Sequence, residues 1–546
     1  MVRFFSFVFR LIICLHLLGF GQELNAQEKI QRPKLVVGIV VDQMRWDYLY
    51  RYYDRYAADG GFKRLLGQGF SCENTLIPYV PTITACGHTC LYTGSVPAIH
   101  GITGNDWWDY KVNKSVYCSQ DDSVKTIGSN SALGKMSPAN LLVTTICDEL
   151  RLATNFHSKV IGLALKDRGA ILTAGHSANA AYWYDNQTGD WISSSYYLQD
   201  LPGWVKEHNA KKLADKYYAQ NWNTLYPITT YTQSTENDKP YENKPLGPGF
   251  PYSLDRFVGK NYSVLPLTPY GNTFTLDMAR AAINAEQLGA GAYTDFLAIS
   301  LSTPDYIGHT FGPNSVEAED GFLRLDRDLA NFLNFLDEKI GKGQYLLFLS
   351  ADHGAAHVPG FLQEHKIPAG HVDDQTALTE INKGLKDKFG LDQGAIGIIN
   401  YQVYLNRGAI ESKKKSDESA IRKWIIDYLQ KQPGVAHAFD IEDLANTPMN
   451  SKVREMIANG YYISRSGDIQ IILDPQWIDG FPKGTTHGSW NPYDSHIPLL
   501  WYGWNIKPGK TNRETYMVDV APTLAAMLHI QMPSGSIGHV IEEITK

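Results

Sequence analysis

The chain has 546 residues, 43% of them hydrophobic and 20% charged, which places it among globular proteins and excludes disorder as its main state. Lys and Arg number 50 against 57 Asp and Glu, a net charge of −7, with no basic stripe to follow a phosphate backbone, so no nucleic acid is expected as a partner. The 32 Tyr, 21 Phe, 12 Trp, 47 Gly and 26 Pro suit a loop-rich enzyme with deep pockets better than a helical bundle or a coiled coil.

Residues 1–26 read as a cleavable secretory signal. Arg3 and Arg10 precede an apolar run at 11–20, and the segment closes on Leu24-Asn-Ala26. That run is shorter than the roughly 20 residues a spanning helix needs, so no stable membrane anchor is expected. The mature protein, residues 27–546, is then exported, to the periplasm or the medium. Five cysteines follow the signal: Cys72, Cys86, Cys90, Cys118 and Cys147. An odd number leaves at least one thiol free or paired between chains, and the pairing is not readable from spacing.

In chain order, residues 34–41 form a continuous apolar, β-branched run, the pattern of a strand buried on both faces of a parallel sheet. Similar runs recur at 160–165, 295–301 and 345–350. An amphipathic helix is expected over 315–340, where Phe322, Leu325, Leu329, Phe332 and Leu336 repeat at helical spacing. Strands alternating with helices indicate an α/β domain. Two stretches interrupt the alternation and read as insertions that cap the sheet: 185–272, and 354–469 with a helix at 413–431 and a strand at 402–405. The chain returns to the core through a strand at 496–503 and a closing helix at 518–528.

In an open α/β sheet, ligands bind beyond the carboxyl ends of the strands. Asp42 follows the first run. Asp305 and His309 follow the third in Ser302-Thr-Pro-Asp305-Tyr-Ile-Gly-His309, and Asp352-His353 follow the fourth. Taken singly, each reads as a turn, a cap or a packed histidine. Together, carboxylates at the ends of three strands would repel one another without a cation, and the imidazoles beside them make a metal site the better reading. Oxygen and imidazole donors without thiolate suit Zn²⁺, with Mn²⁺ or Fe as alternatives. Gly484-Thr-Thr-His487 adds a further imidazole on a Gly-rich loop. Six donors exceed one four-coordinate zinc, so two are expected, the arrangement that clamps a phosphoryl group between ions about 4 Å apart. Thr84, at the expected start of a short helix after Pro81-Thr-Ile-Thr84, offers a hydroxyl nucleophile where backbone N–H groups hold an anion.

These residues resemble the alkaline phosphatase superfamily. More narrowly, Val41-Asp-Gln-Met-Arg-Trp-Asp47, Gly101-Ile-Thr-Gly-Asn105-Asp-Trp107 and Leu165-Lys-Asp-Arg168 resemble the phosphate-irrepressible, single-chain bacterial enzymes of the PafA type. The resemblance spans nearly the whole mature chain. It implies a central, mostly parallel β-sheet flanked by helices with capping insertions, and two Zn²⁺ per chain. One zinc would be held by Asp305, His309 and His487, the other by Asp42, Asp352, His353 and the Thr84 oxygen. Thr84 would become phosphothreonine, and Asn105, Lys166 and Arg168 would bind the phosphoryl oxygens. Lys166 and Arg168, at i and i+2, share a face if that segment stays extended. Phosphate monoesters are then the substrates, inorganic phosphate the product, and a monomer the expected state.

Three other readings are weighed. Sulfatase chemistry is disfavoured because Cys86-Gly-His-Thr-Cys90 lacks the Pro and Arg of the aldehyde-forming motif. A nucleotide pyrophosphatase/phosphodiesterase shares the metal donors and the Thr, but a diester has one fewer charged oxygen for Lys166 and Arg168 to meet. A non-catalytic exported metal- or phosphate-binding protein would have no evident use for Thr84 at a helix start beside open-site metals.

Overall fold

A computed structural model describes residues 30–412, 415–480 and 482–545. The expected signal, residues 1–26, lies outside them. The centre of the fold is a run of parallel strands in the spatial order β7 (Tyr345–Ser350), β1 (Leu35–Val41), β6 (Asp295–Leu301), β3 (Val160–Ala164) and β4 (Ala180–Asp185). Every residue of the five is buried, as continuous apolar runs require when helices cover both faces. One row across the sheet reads Ser350, Val40, Ser300, Ala164 and Trp183. The residues just after this row therefore emerge together at a single edge, whatever their separation in sequence.

Antiparallel strands finish both sides. β8 (Leu499–Gly503) pairs with β7 and with β2 (Phe70–Leu76), and β5 (Asp190–Ser194) pairs with β4. The strand expected at 496–503 is two pieces, His496–Ile497 and Leu499–Gly503, separated at Pro498. Proline has no N–H for a ladder; its carbonyl instead accepts from Ser350 Oγ at 2.8 Å. The long amphipathic helix, α4 (Val316–Leu336), is capped by Ser315 through the Ala318 N–H and ends in a π-turn over Asp337–Gly341.

Of the two expected insertions, 185–272 opens with β5, a strand of the main sheet flanked on its outer side by the short strand Thr126–Ile127, before its short helices. The stretch after 354 contains a separate four-stranded antiparallel sheet, in the order Ala395–Ile399, Gln402–Leu405, Ile469–Leu473 and Val435–Asp440. The helices Asp374–Phe389 and Lys415–Leu429 pack on it around Ile381, Leu385, Ile421 and Ile425. Its last strand in sequence runs past residue 469. All five cysteines are buried and free.

Gly38 in β1 has a clear packing reason. A Cβ there would overlap the hydroxyl of Tyr92, from the helix that begins at Thr84, and the ring of Phe348 in β7. Gly38→Ala is expected to destabilise the protein by about 1–3 kcal/mol, the cost of overpacking, read as a lower midpoint in urea denaturation.

Candidate active site

Four elements deliver the candidate residues to the sheet edge. Asp42 ends β1, and Asp352-His353 end β7; all three are fully buried. Helix α3 (Thr303–Phe311) starts two residues after β6 with Pro304 in its first turn, and carries Asp305 and, one turn later, His309. His487 sits on a loop bounded by Gly484 and Gly488, both at positive φ (74° and 125°). A side chain at Gly484 would strike the His309 backbone carbonyl, so glycine permits the close approach.

Helix α1 (Thr84–Thr93) places Thr84 at its first residue, with Ile83 as the cap. A side chain at Gly87 would collide with Asp352, so this helix lies directly against the β7 edge. Thr84 Oγ1 is 3.3 Å from His353 Nε2. Asn105 Oδ1 accepts from the Ala85 N–H at 3.1 Å, which fixes the amide beside the helix start and leaves its NH₂ for another acceptor.

The donors overlap in three groups whose ligand atoms lie within 4.8 Å of one another: Asp305 with His309 and His487; Asp42 with Asp305 and His353; and Asp42 with His88 and Asp352. His353 Nε2 is 3.6 Å from Asp42 Oδ1 and 3.4 Å from Asp352 Oδ2. His309 Nδ1 donates to Thr485 O (2.7 Å), His487 Nδ1 to Thr82 O (2.7 Å) and His353 Nδ1 to Gly354 O (2.9 Å). Each imidazole, when neutral, thus presents an unprotonated Nε2 to the site, the second-layer pattern of metal-ligating histidines. Burial and the neighbouring His353 and His309 push His487 well below the ordinary histidine range, which also keeps its lone pair free.

The carboxylates carry the complementary signal. Burial and the nearby Asp305 and Asp352 push Asp42 well above the usual carboxylate range. Asp42 Oδ1 and Asp352 Oδ2 are buried without a hydrogen-bond partner, an arrangement that costs several kcal/mol unless a cation is present. Lys166 supplies part of that charge, its Nζ lying 2.7 Å from Asp42 and 2.5 Å from Asp305. Oxygen and imidazole donors, free Nε2 lone pairs and orphaned carboxylate oxygens fit Zn²⁺ at this edge.

The expectation that Lys166 and Arg168 share a face of an extended segment does not hold. β3 ends at Ala164 and helix α2 (Asp167–Ala174) begins after Lys166, so the segment between them is not extended. Arg168 Nη1 donates to Tyr117 OH at 3.1 Å, and that hydroxyl donates to Asp167.

Two residues at the site carry no strong sequence signal. His88, one turn after Thr84 on α1, lies 3.2 Å from Asp352 Oδ2 and 2.8 Å from Ser300 Oγ; its helical spacing from Thr84 is the one hint available. Gln43 adopts φ of 65°. Its backbone N–H donates to Asp352 Oδ1 (3.0 Å) and its Nε2 to Asp305 Oδ1 (2.8 Å), so one residue orients a carboxylate after β7 and another on α3.

The sequence pattern of the type I phosphodiesterase / nucleotide pyrophosphatase family matches residues 36–494. Alkaline phosphatase PhoV of Synechococcus elongatus is 54% identical, covering 98% of this chain and 99% of that protein. Alkaline phosphatase PafA of Elizabethkingia meningoseptica is 50% identical over 96% of each. The chain belongs to the alkaline phosphatase superfamily. Its fold matches the crystal structure of wild-type PafA with a TM-score of 0.92, at 48% identity over 95% of this chain and 100% of that one. A solved variant of PafA replaces a threonine, an asparagine, a lysine and an arginine, the residue types of Thr84, Asn105, Lys166 and Arg168 in the same order. A Myroides odoratus protein 55% identical over 95% of this superfamily member bears the name calcium-transporting ATPase. Among the described residues, no helix is long and apolar enough to cross a membrane.

Gln43→Ala is expected to weaken metal retention by roughly 10–100-fold, the usual effect of removing a residue that orients metal ligands. Competition with a chromophoric chelator measures it, with circular dichroism to establish that the variant is folded.

Proposed function

We propose that this chain is a zinc-dependent alkaline phosphatase that hydrolyses phosphate monoesters through a phosphothreonine at Thr84. The observation that carries the reading is the Thr84 hydroxyl, at a helix start and 3.3 Å from His353 Nε2, among donors from β1, β7, α3 and the His487 loop. Two Zn²⁺ are the proposed complement, one with Asp305, His309 and His487, the other with Asp42, Asp352, His353 and Thr84. When bound, zinc neutralises the buried carboxylates and lowers the pKa of an attached hydroxyl or water.

The protein's own groups do the rest. Thr84 Oγ1 forms a bond to phosphorus as the bond to the alcohol oxygen breaks, and water then cleaves the phosphothreonine to release inorganic phosphate. The N-terminus of α1, with the Ala85 N–H already given to Asn105, puts its dipole toward the developing charge on the phosphoryl oxygens. The Asn105 amide, held by Ala85, donates to one of those oxygens. Arg168, braced by Tyr117, and Lys166 supply positive charge to the others. A monoester above its second pKa of about 6 carries close to two negative charges, and Lys166 and Arg168 match that dianion better than a diester's single charge. We also propose export to the periplasm or the medium after removal of residues 1–26, a single catalytic domain over 27–546 with the two capping stretches, and a monomeric state.

Thr84→Ala is expected to lower kcat/KM for an aryl phosphate monoester by on the order of 10³-fold or more while zinc content by atomic absorption stays unchanged. Loss of zinc or of folding with turnover would remove the nucleophile assignment. Chelation should abolish activity and zinc restore it. A bis-aryl diester turned over with higher kcat/KM than the monoester would favour the phosphodiesterase reading, and phosphate binding without any hydrolysis would favour a binding protein.

A further inference from the structure

His309 is the outlet of the site. Its side chain is 37% exposed, whereas those of Asp42, Asp305, His353 and His487 are at most 5% exposed. Thr84 stands beside His353, and His309 belongs to the other donor group, with Asp305 and His487. In-line phosphoryl transfer puts the leaving oxygen opposite the attacking one. On the proposed function, the alcohol therefore departs on the His309 side, and its remainder must lie beyond that imidazole.

A groove of about 330 Å³ opens there, lined by His309, Asn243, Asp479, Lys483 and Thr486 among others. Its walls are stitched to α3: Asn243 N donates to Thr310 O (2.9 Å), and Thr485 N to His309 O (3.1 Å). Asp479 is already engaged, accepting from Tyr401 OH at 3.2 Å. Lys483 is exposed and makes no ion pair among the described residues. Among the described residues, no Phe, Tyr or Trp lines the groove. Of Asp479 and Lys483, the more exposed charge in the groove is thus the cation.

We infer that this groove is a leaving-group subsite in which Lys483 selects monoesters whose alcohol carries a second anionic group, a carboxylate or another phosphate. Nothing in the phosphoryl-binding residues distinguishes such substrates; Lys483 does so by meeting the distal charge. The inference rests on the phosphomonoesterase reading, and its test separates the two.

The probes are 2-phosphoglycerate and glycerol 2-phosphate, which share a three-carbon frame and differ by a carboxylate in place of a hydroxymethyl group. Lys483→Ala is expected to lower kcat/KM for 2-phosphoglycerate by roughly five- to tenfold, the loss of one charged contact in a solvated groove. Glycerol 2-phosphate should stay within about twofold, because its distal group is neutral. Lys483→Glu should widen the gap, Lys483→Arg should restore the wild-type ratio, and added salt should narrow the ratio in wild type alone. Parallel loss on both substrates, or no change on either, overturns the subsite. Wild-type protein with zinc that hydrolyses neither compound overturns the phosphomonoesterase reading, and the subsite with it.

Discussion

Three buried carboxylates at one edge of a parallel sheet are the constraint around which the rest of the site is arranged. Asp42, Asp305 and Asp352 come from segments far apart in sequence, yet the strand register delivers them to overlapping groups within 4.8 Å. At that separation, in a medium of low polarizability, their repulsion exceeds what ordinary hydrogen bonds offset. The protein answers with Lys166 between two of them, with imidazoles oriented as neutral donors, and with helix α1 laid against Asp352. Positive charge is what this edge lacks, and a metal ion held by these donors would supply it.

The same edge explains why the structure holds its histidines so firmly. Each Nδ1–H is spent on a backbone carbonyl from a different loop: Thr485, Thr82 and Gly354. Ring rotation would break that bond, so the lone pairs are aimed before any ion arrives, and binding does not have to order them. The second sheet contributes to this rigidity from outside. Tyr401, at the turn between its strands Ala395–Ile399 and Gln402–Leu405, reaches both the His487 carbonyl (3.3 Å) and Asp479 (3.2 Å). Arg465 reaches the carbonyls of Gly101 and Asn140, close to the Asn105 segment. This four-stranded unit therefore braces the catalytic edge as well as covering it.

Much of this was legible in the sequence because the sheet is parallel and buried. Continuous apolar runs mark β1, β6 and β7, and the polar residues that end them are the donors. Local pattern also placed Thr84 at a helix start and both Asp305 and His309 after the third apolar run. The antiparallel margins were less visible, since β8 reads like any apolar strand and only Pro498 hints at the break. For Lys166 and Arg168 only the extended backbone fails, because a helix starts between them, and nothing in Lys-Asp-Arg distinguishes a strand end from a first turn. Gln43 was invisible for a deeper reason. Its role depends on a positive φ and on Gly308, where any side chain would fill the space its own side chain occupies. Such a contact exists only after distant segments have met.

The five unpaired cysteines bear on how the enzyme matures. Burial pushes Cys86, Cys90 and Cys147 well above the ordinary thiol range, and Cys72 and Cys118 up to about 12. Exchange and oxidation proceed through the thiolate, so once folded these sulfurs are chemically silent even in an oxidising compartment. Among the described residues, the native state contains no cross-link that an oxidoreductase must install or proofread. The interval of exposure is the time before folding, when these five thiols can mispair, and rapid closure of the core around them is the protection the sequence provides.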